Sequence, residues 1–221
     1  PGVEQSVGLA KARLQISSQQ WESALATLRM LKEHPKSPAY PFVLKLLAKT
    51  YDELADWTAL QALLPELQKH NVLNASEHET LAQRCFEGQL ASAAKGIHNE
   101  EVRQNLQKTW ESIPKKMRHQ ATLVLAYSQR LLEIDGNNEA EEVVAAFLRK
   151  DWDDRLVRLY GTIAGRDPQK QYLLAESWLK ERPSNASLLL TLGRLCLLNQ
   201  QWTNARQYFE ASINARKSAE A

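Results

Sequence analysis

The chain has few of the residues that break helices, build disulfide networks or span membranes. Its 221 residues include 8 glycines, 8 prolines and 2 cysteines. Two cysteines exclude a disulfide scaffold, and Cys85 and Cys196 both fall on apolar helical patterns, which predicts buried free thiols. No apolar run reaches the ~18 residues that a membrane span requires. Scarce glycine and proline beside abundant Leu, Ala, Gln, Glu and Lys predict a nearly all-helical protein.

An excess of one charge is also missing. The 28 basic residues nearly balance the 26 acidic residues, and the net charge is +2. Because Lys and Arg are spread along the chain, nucleic-acid binding is not predicted. No sustained alternation of apolar and polar residues is present, so strands are not predicted either.

What is present is an internal repeat, clearest near the end of the chain. Counting from Gly193, an apolar residue follows at Cys196, then Trp202, Ala205 and Phe209. This spacing is typical of a tetratricopeptide repeat, a pair of helices of ~34 residues. The small residues Gly193 and Ala205 predict a close crossing of two antiparallel helices. The Trp and the Phe are predicted to fill the space between one helix pair and the next.

Two earlier blocks match the same pattern. Starting at Ala12, the chain reads ARLQISSQQWESAL and aligns without a gap on GRLCLLNQQWTNAR from Gly193. A block from Leu46 places Ala48, Tyr51 and Trp57 in equivalent positions. One repeat cannot bury its apolar face alone, so three matched blocks predict an all-α, tetratricopeptide-like superhelical solenoid of antiparallel helix pairs. The predicted divisions are helix pairs over 1–72, an irregular helical linker over 73–114 and further helix pairs over 115–221.

Three local predictions concern helix ends. A capping box with Ser76 as N-cap and Glu79 three residues later is expected to open the fifth helix. Asp151 is expected to cap the ninth helix, and Asp167 followed by proline to open the tenth. The stretch from Lys116 to Ile134 is predicted to be one helix.

The particular residues also resemble one family. The resemblance covers about Glu4 to Ser212 and is most specific in the following residues: Trp178-Leu179-Lys180, Pro183, Leu192-Gly193-Arg194-Leu195-Cys196-Leu197, Trp202 and Ala205. These are similar to HemY, the haem-biosynthesis-associated repeat protein of the proteobacterial inner membrane. In that family two membrane helices precede the repeats. The chain begins at Pro1 without a methionine, which predicts a piece of a longer protein.

The resemblance implies a role late in protohaem synthesis at the inner membrane, with this domain on the cytoplasmic side, and late haem-biosynthesis enzymes as partners. It implies no catalytic motif. No Ser-His-Asp or Cys-His set is legible in the sequence, so no catalytic residue and no enzyme activity are predicted. The histidines form no zinc-binding motif, so no metal site is predicted.

A partner-binding groove is predicted on the first helix of each pair. By register, the residue after the small position faces the groove, and these residues are Arg13, Lys49 and Arg194. Lys45 lies one turn before Lys49. Such a groove would attract carboxylates of an acidic peptide or of porphyrin propionates. An ordinary solvated basic face is the alternative.

Two histidines are candidate haem ligands. His70 and His78 flank a helix connection, and either ring could bind haem iron. Exposed loop histidines without a ligand are the alternative. The cluster Lys115, Lys116, Arg118 and His119 could meet anionic lipid headgroups, with a solvated helix start as its alternative. The sequence therefore predicts a non-catalytic scaffold for partner proteins, with a haem-binding or porphyrin-binding protein as the second hypothesis.

Overall fold

All regular structure in the described part of the chain is helical. The computed structural model describes residues 2–220, with side chains over 4–217. In this range there are thirteen α-helices, one short 3-10 helix and no strand. The all-α prediction is confirmed, and neighbouring helices pack as pairs, as expected for helical repeats.

The chain forms two compact units, Pro1–Ser92 and Ala93–Ala221. The first contains α1 (Gly2–Ser17), α2 (Trp21–Lys32), α3 (Tyr40–Glu53), α4 (Trp57–Lys69) and α5 (Ala75–Ala93). The second contains α6 (Asn99–Ser112), α7 (Lys115–Arg118), α8 (Ala121–Leu132), α9 (Asn137–Leu148), α10 (Asp154–Tyr160), α11 (Pro168–Ser177), the 3-10 turn Trp178–Lys180, α12 (Ala186–Leu198) and α13 (Trp202–Glu220). The division into three parts at residues 72 and 114 is based on how regular the sequence repeat is, not on compactness. It stays a prediction.

The turns inside four helix pairs share one backbone geometry. Two residues before the second helix, at Gln19, Ala55, Asp135 and Gln200, the backbone is left-handed, with φ between 53° and 59°. The next residue donates its N–H to a carbonyl five residues back, as in a Schellman-type helix end. The donors and acceptors are Gln20 to Gln15, Asp56 to Tyr51, Gly136 to Leu131 and Gln201 to Cys196, at 2.8–2.9 Å. The second helices of three of these pairs open at Trp21, Trp57 and Trp202, which confirms the alignment of the three sequence blocks.

The close helix crossing predicted at Gly193 is present. A Cβ added there would lie 2.6 Å from Phe209 Cδ1, and Ala205 is only 1% exposed. The role predicted for Trp202 is wrong, because its side chain is 65% exposed. It lies on α13, the last described helix, and no later described helix packs on it. Trp57 shows the expected packing, since its ring lies against Gly88 of α5.

Several helix ends differ from the sequence prediction. The capping box lies two residues earlier: Glu77 N–H donates to Asn74 Oδ1 and Asn74 N–H donates to Glu77 Oε2, both at 2.9 Å. Asp153, rather than Asp151, caps α10 by accepting from the backbone N–H groups of Arg155 and Leu156. The N-cap at Asp167 is confirmed by its bond from Lys170 N–H at 3.0 Å.

The predicted single helix from Lys116 to Ile134 is two helices. The chain leaves helical geometry at Gln120, whose φ of −82° and ψ of 128° are extended. This bend separates the four residues of α7 from α8. Across the described residues, no helix combines the length and the apolar character needed to cross a bilayer.

Candidate functional site

The predicted basic residues of the first unit lie on α1 and α3. The side chains of Arg13, Lys45 and Lys49 are all exposed. The Arg13 guanidinium lies over the Phe42 ring at 5.1 Å from the ring centre, so α1 and α3 are neighbours there. Lys45 and Lys49 are four residues apart on one helix, where like charges repel each other weakly. No described carboxylate forms an ion pair with any of the three, so their positive charge is not compensated locally. We call these three residues the basic face.

Arg194 lies in the second unit and has a different environment. Its side chain is half-buried, and Nη1 donates to the backbone oxygen of Arg158 at 3.2 Å. This bond ties α12 to α10 and uses part of the guanidinium's donor capacity. The four-residue groove therefore stays a prediction, and the structure groups only its first-unit members.

A polar network that the sequence did not indicate joins α2, α3 and α4. Lys32 Nζ lies 2.7 Å from Glu66 Oε2, and Tyr40 OH donates to Glu66 Oε1. Partial burial alone would raise the pKa of Glu66, but the bonds from Lys32 and Tyr40 hold that pKa below its ordinary value. Burial and the bond to Glu66 raise the pKa of Tyr40 to about 12, so the phenol stays a donor. Tyr40 and Glu66 are 26 residues apart, which hides the pair in the sequence.

The two candidate haem ligands lie at this end of the first unit. His70 follows α4, is half-buried and presents its ring edge-on to Tyr40, with ring centres 5.2 Å apart. His78 is also half-buried, and its Nε2 lies 3.0 Å from the backbone oxygen of Leu64. Because a carbonyl oxygen only accepts, this contact makes Nε2 of His78 a donor rather than a free ligand atom. No described hydrogen bond engages the His70 ring. Its ring nitrogens are therefore more available to a haem iron than Nε2 of His78.

Neither cysteine has the environment of a reactive thiolate. Cys85 is buried on α5, and burial raises the pKa of its thiol to about 12. Its Sγ donates to the backbone oxygen of Trp57 at 3.3 Å. Burial also raises the pKa of the Cys196 thiol. Both thiols are free, as the sequence predicted, and both are held protonated near neutral pH.

Comparison with known proteins supports the resemblance to HemY that the sequence suggested. The chain is similar to Protein HemY of Escherichia coli strain K12 and to Protein HemY of Shigella flexneri. In each case the identity is 25% over 213 residues, which cover 96% of this chain and 52% of the relative. The resemblance to HemY is thereby confirmed. The chain spans about half the length of the curated relatives it matches, and no family model matches it.

Proposed function

We propose that this chain is a non-catalytic scaffold that docks acidic segments of partner proteins on the basic face. The observation that carries the proposal is the uncompensated charge of Arg13, Lys45 and Lys49 on two adjacent helices. Exposed charges of this kind attract an oppositely charged partner and orient its approach. The similarity to HemY supports a narrower proposal: the partners are enzymes of a late step of haem synthesis, and the assembly works at the inner membrane.

The packing of Arg13 on Phe42 favours docking over a purely solvated face. An aromatic ring beneath a guanidinium holds its plane and reduces its mobility. A bidentate bond to a carboxylate then loses less side-chain entropy than it would from a freely moving arginine. The two lysines supply attraction one turn apart along α3, which suits a peptide carrying several carboxylates.

The test is charge reversal with a matched control. Lys45→Glu with Lys49→Glu is compared with Lys36→Glu with Lys69→Glu, which makes the same charge change at exposed lysines of the same unit. Binding to purified late haem-synthesis enzymes is measured by interferometry at two salt concentrations. We expect the first variant to lose about tenfold or more in affinity, since two charge contacts are reversed, and the second to lose little. Equal losses in both variants, or none in the first, would reject the basic face as the docking site.

Haem or porphyrin binding is the second candidate, and the observation that favours it is that no described hydrogen bond engages the His70 ring. The assay is a haem titration of the full chain followed at the Soret band. We expect a saturable shift that His70→Ala abolishes and His78→Ala leaves intact, because Nε2 of His78 already donates to Leu64. The absence of a saturable shift would remove this candidate and leave the scaffold proposal untouched.

A further inference from the structure

The second unit contains a cleft with an apolar wall. It has a volume of about 320 Å³ and lies among the end of α6, α7, α8 and α9. Its apolar lining consists of Trp110, Val124, Val143, Ala146 and Phe147. The Trp110 ring is stacked on Tyr127 with ring centres 4.5 Å apart and planes 2° from parallel. This stack fixes the orientation of the indole, so the cleft has a rigid aromatic wall.

All four charged or titratable residues that line this cleft are basic types. They are Lys115, Arg118, His119 and Lys150, and no acidic side chain lines it. No described carboxylate forms an ion pair with Lys115, Arg118 or Lys150. The rim of the cleft is therefore a concentration of positive charge that nothing described in the protein neutralises.

Of the four basic residues that line the cleft, Arg118 is half-buried and the other three are exposed. The Nε of Arg118 is shielded from solvent and has no hydrogen-bond partner. Because that shielded atom is out of reach of an occupant, an anion in the cleft would accept from the remaining N–H groups of the Arg118 guanidinium, and the surrounding apolar surface would strengthen the bond by excluding water.

From this geometry we infer that the cleft binds a small organic anion with an aromatic body. The volume is at the lower end of the ~300–1,000 Å³ range of ligand sites, which suits one or two fused rings. The ring system packs against Trp110 and Phe147, while a carboxylate or sulfonate bonds to Arg118 and is attracted by Lys115 and Lys150. The inference does not rest on the proposed scaffold function, because no residue of the basic face takes part.

The probes are 2-naphthoate and its uncharged analogue 2-naphthalenemethanol, each titrated into the full chain by calorimetry. We expect 2-naphthoate to bind at one site and 2-naphthalenemethanol to bind about tenfold more weakly or worse, because it lacks the charge. Arg118→Gln is expected to weaken 2-naphthoate about tenfold or more. Ala146→Phe, which adds a ring at an exposed position of the lining, is expected to block both probes.

Two controls separate the cleft from general charge and from the basic face. Lys108→Gln removes one charge from an exposed position of α6 that does not line the cleft, and it should leave 2-naphthoate binding unchanged. The variant Lys45→Glu with Lys49→Glu, which is expected to weaken partner docking, should also leave 2-naphthoate binding unchanged. The two proposals can therefore fail independently of each other. Circular dichroism confirms that each variant is folded.

Three results would overturn the inference. The first is equal 2-naphthoate affinity in Arg118→Gln, Ala146→Phe and the unmodified chain, which would mean nonspecific binding only. The second is equal affinity for the charged and the uncharged probe. The third is a cleft that binds phosphatidylglycerol vesicles in an Arg118-dependent way but not 2-naphthoate, which would make the occupant a membrane headgroup.

Discussion

Replacing Gly193 by alanine should destabilise the last helix pair, although alanine is the better helix former. In the interior of α12, the change from glycine to alanine is worth about 1 kcal/mol in favour of the helix. Against this gain, the new Cβ would lie 2.6 Å from Phe209 Cδ1 and still closer to another atom of the same ring. Overpacking of this kind costs about 1–3 kcal/mol. We therefore expect a net loss of about 1 kcal/mol, or a fall in melting temperature of about 2–4 °C for a chain of this length.

A double-mutant cycle isolates the cause. In a Phe209→Ala background the ring is gone, so Gly193→Ala should stabilise the protein by about 1 kcal/mol through helix propensity. The sign of the effect is thus expected to reverse between the two backgrounds. Gly8→Ala in α1 is the control, because its Cβ would meet only the mobile end of Leu31 at 3.0 Å. The assay is urea unfolding followed by far-ultraviolet circular dichroism. Stabilisation by Gly193→Ala in the presence of Phe209 would refute the close-crossing argument.

Two further predictions concern the first unit. Asn74→Ala should lower the free energy of unfolding by about 1 kcal/mol and Ser76→Ala by far less, because only Asn74 caps α5. Urea unfolding of both variants measures the difference. A larger loss in Ser76→Ala than in Asn74→Ala would reject the cap. The ion pair of Lys32 with Glu66 should stabilise the protein above the unfolded-state pKa of the carboxyl and lose this effect as pH falls through the depressed folded-state pKa. The stability difference between the unmodified chain and Glu66→Gln should accordingly shrink on acidification, and a difference that grew would contradict the assigned direction.

The repeat could be predicted because its residues act through short-range geometry. A small residue at Gly193 and another at Ala205 specify where two helices cross, and an aromatic nine residues after the first specifies where the second helix begins. The structure confirms each of these positions. The exposure of Trp202 could not be predicted in the same way, because it depends on which element packs beside α13 and not on the pattern inside the pair.

The capping error has a specific cause. Asn74 and Ser76 each stand three residues before a glutamate, so two overlapping capping boxes compete in one short stretch. Both satisfy the same local rule. The path of the chain leaving α4 decides which residue takes the extended conformation, and that path depends on tertiary packing.

The candidate sites were less predictable because they join residues distant in sequence. The lysines of α3 can be placed on one face from register alone, because they share one helix. The network of Glu66 with Tyr40 and the cleft beside Arg118 each require several helices to come together. For the Lys115–His119 cluster, the sequence showed the charge but not the aromatic wall beside it.

The aromatic wall of the cleft distinguishes it physically from the basic face. On the basic face the charges are exposed, so water and salt screen them, and each contributes mainly to the rate and salt dependence of association. In the cleft, Arg118 is half-buried beside apolar side chains, so a single bond to an anion can contribute substantially to affinity. Raising the salt concentration should therefore weaken partner docking at the basic face much more than 2-naphthoate binding in the cleft. Equal salt dependence at both would mean that the cleft charges are as solvated as Lys45 and Lys49, and the argument for a built anion site would fail.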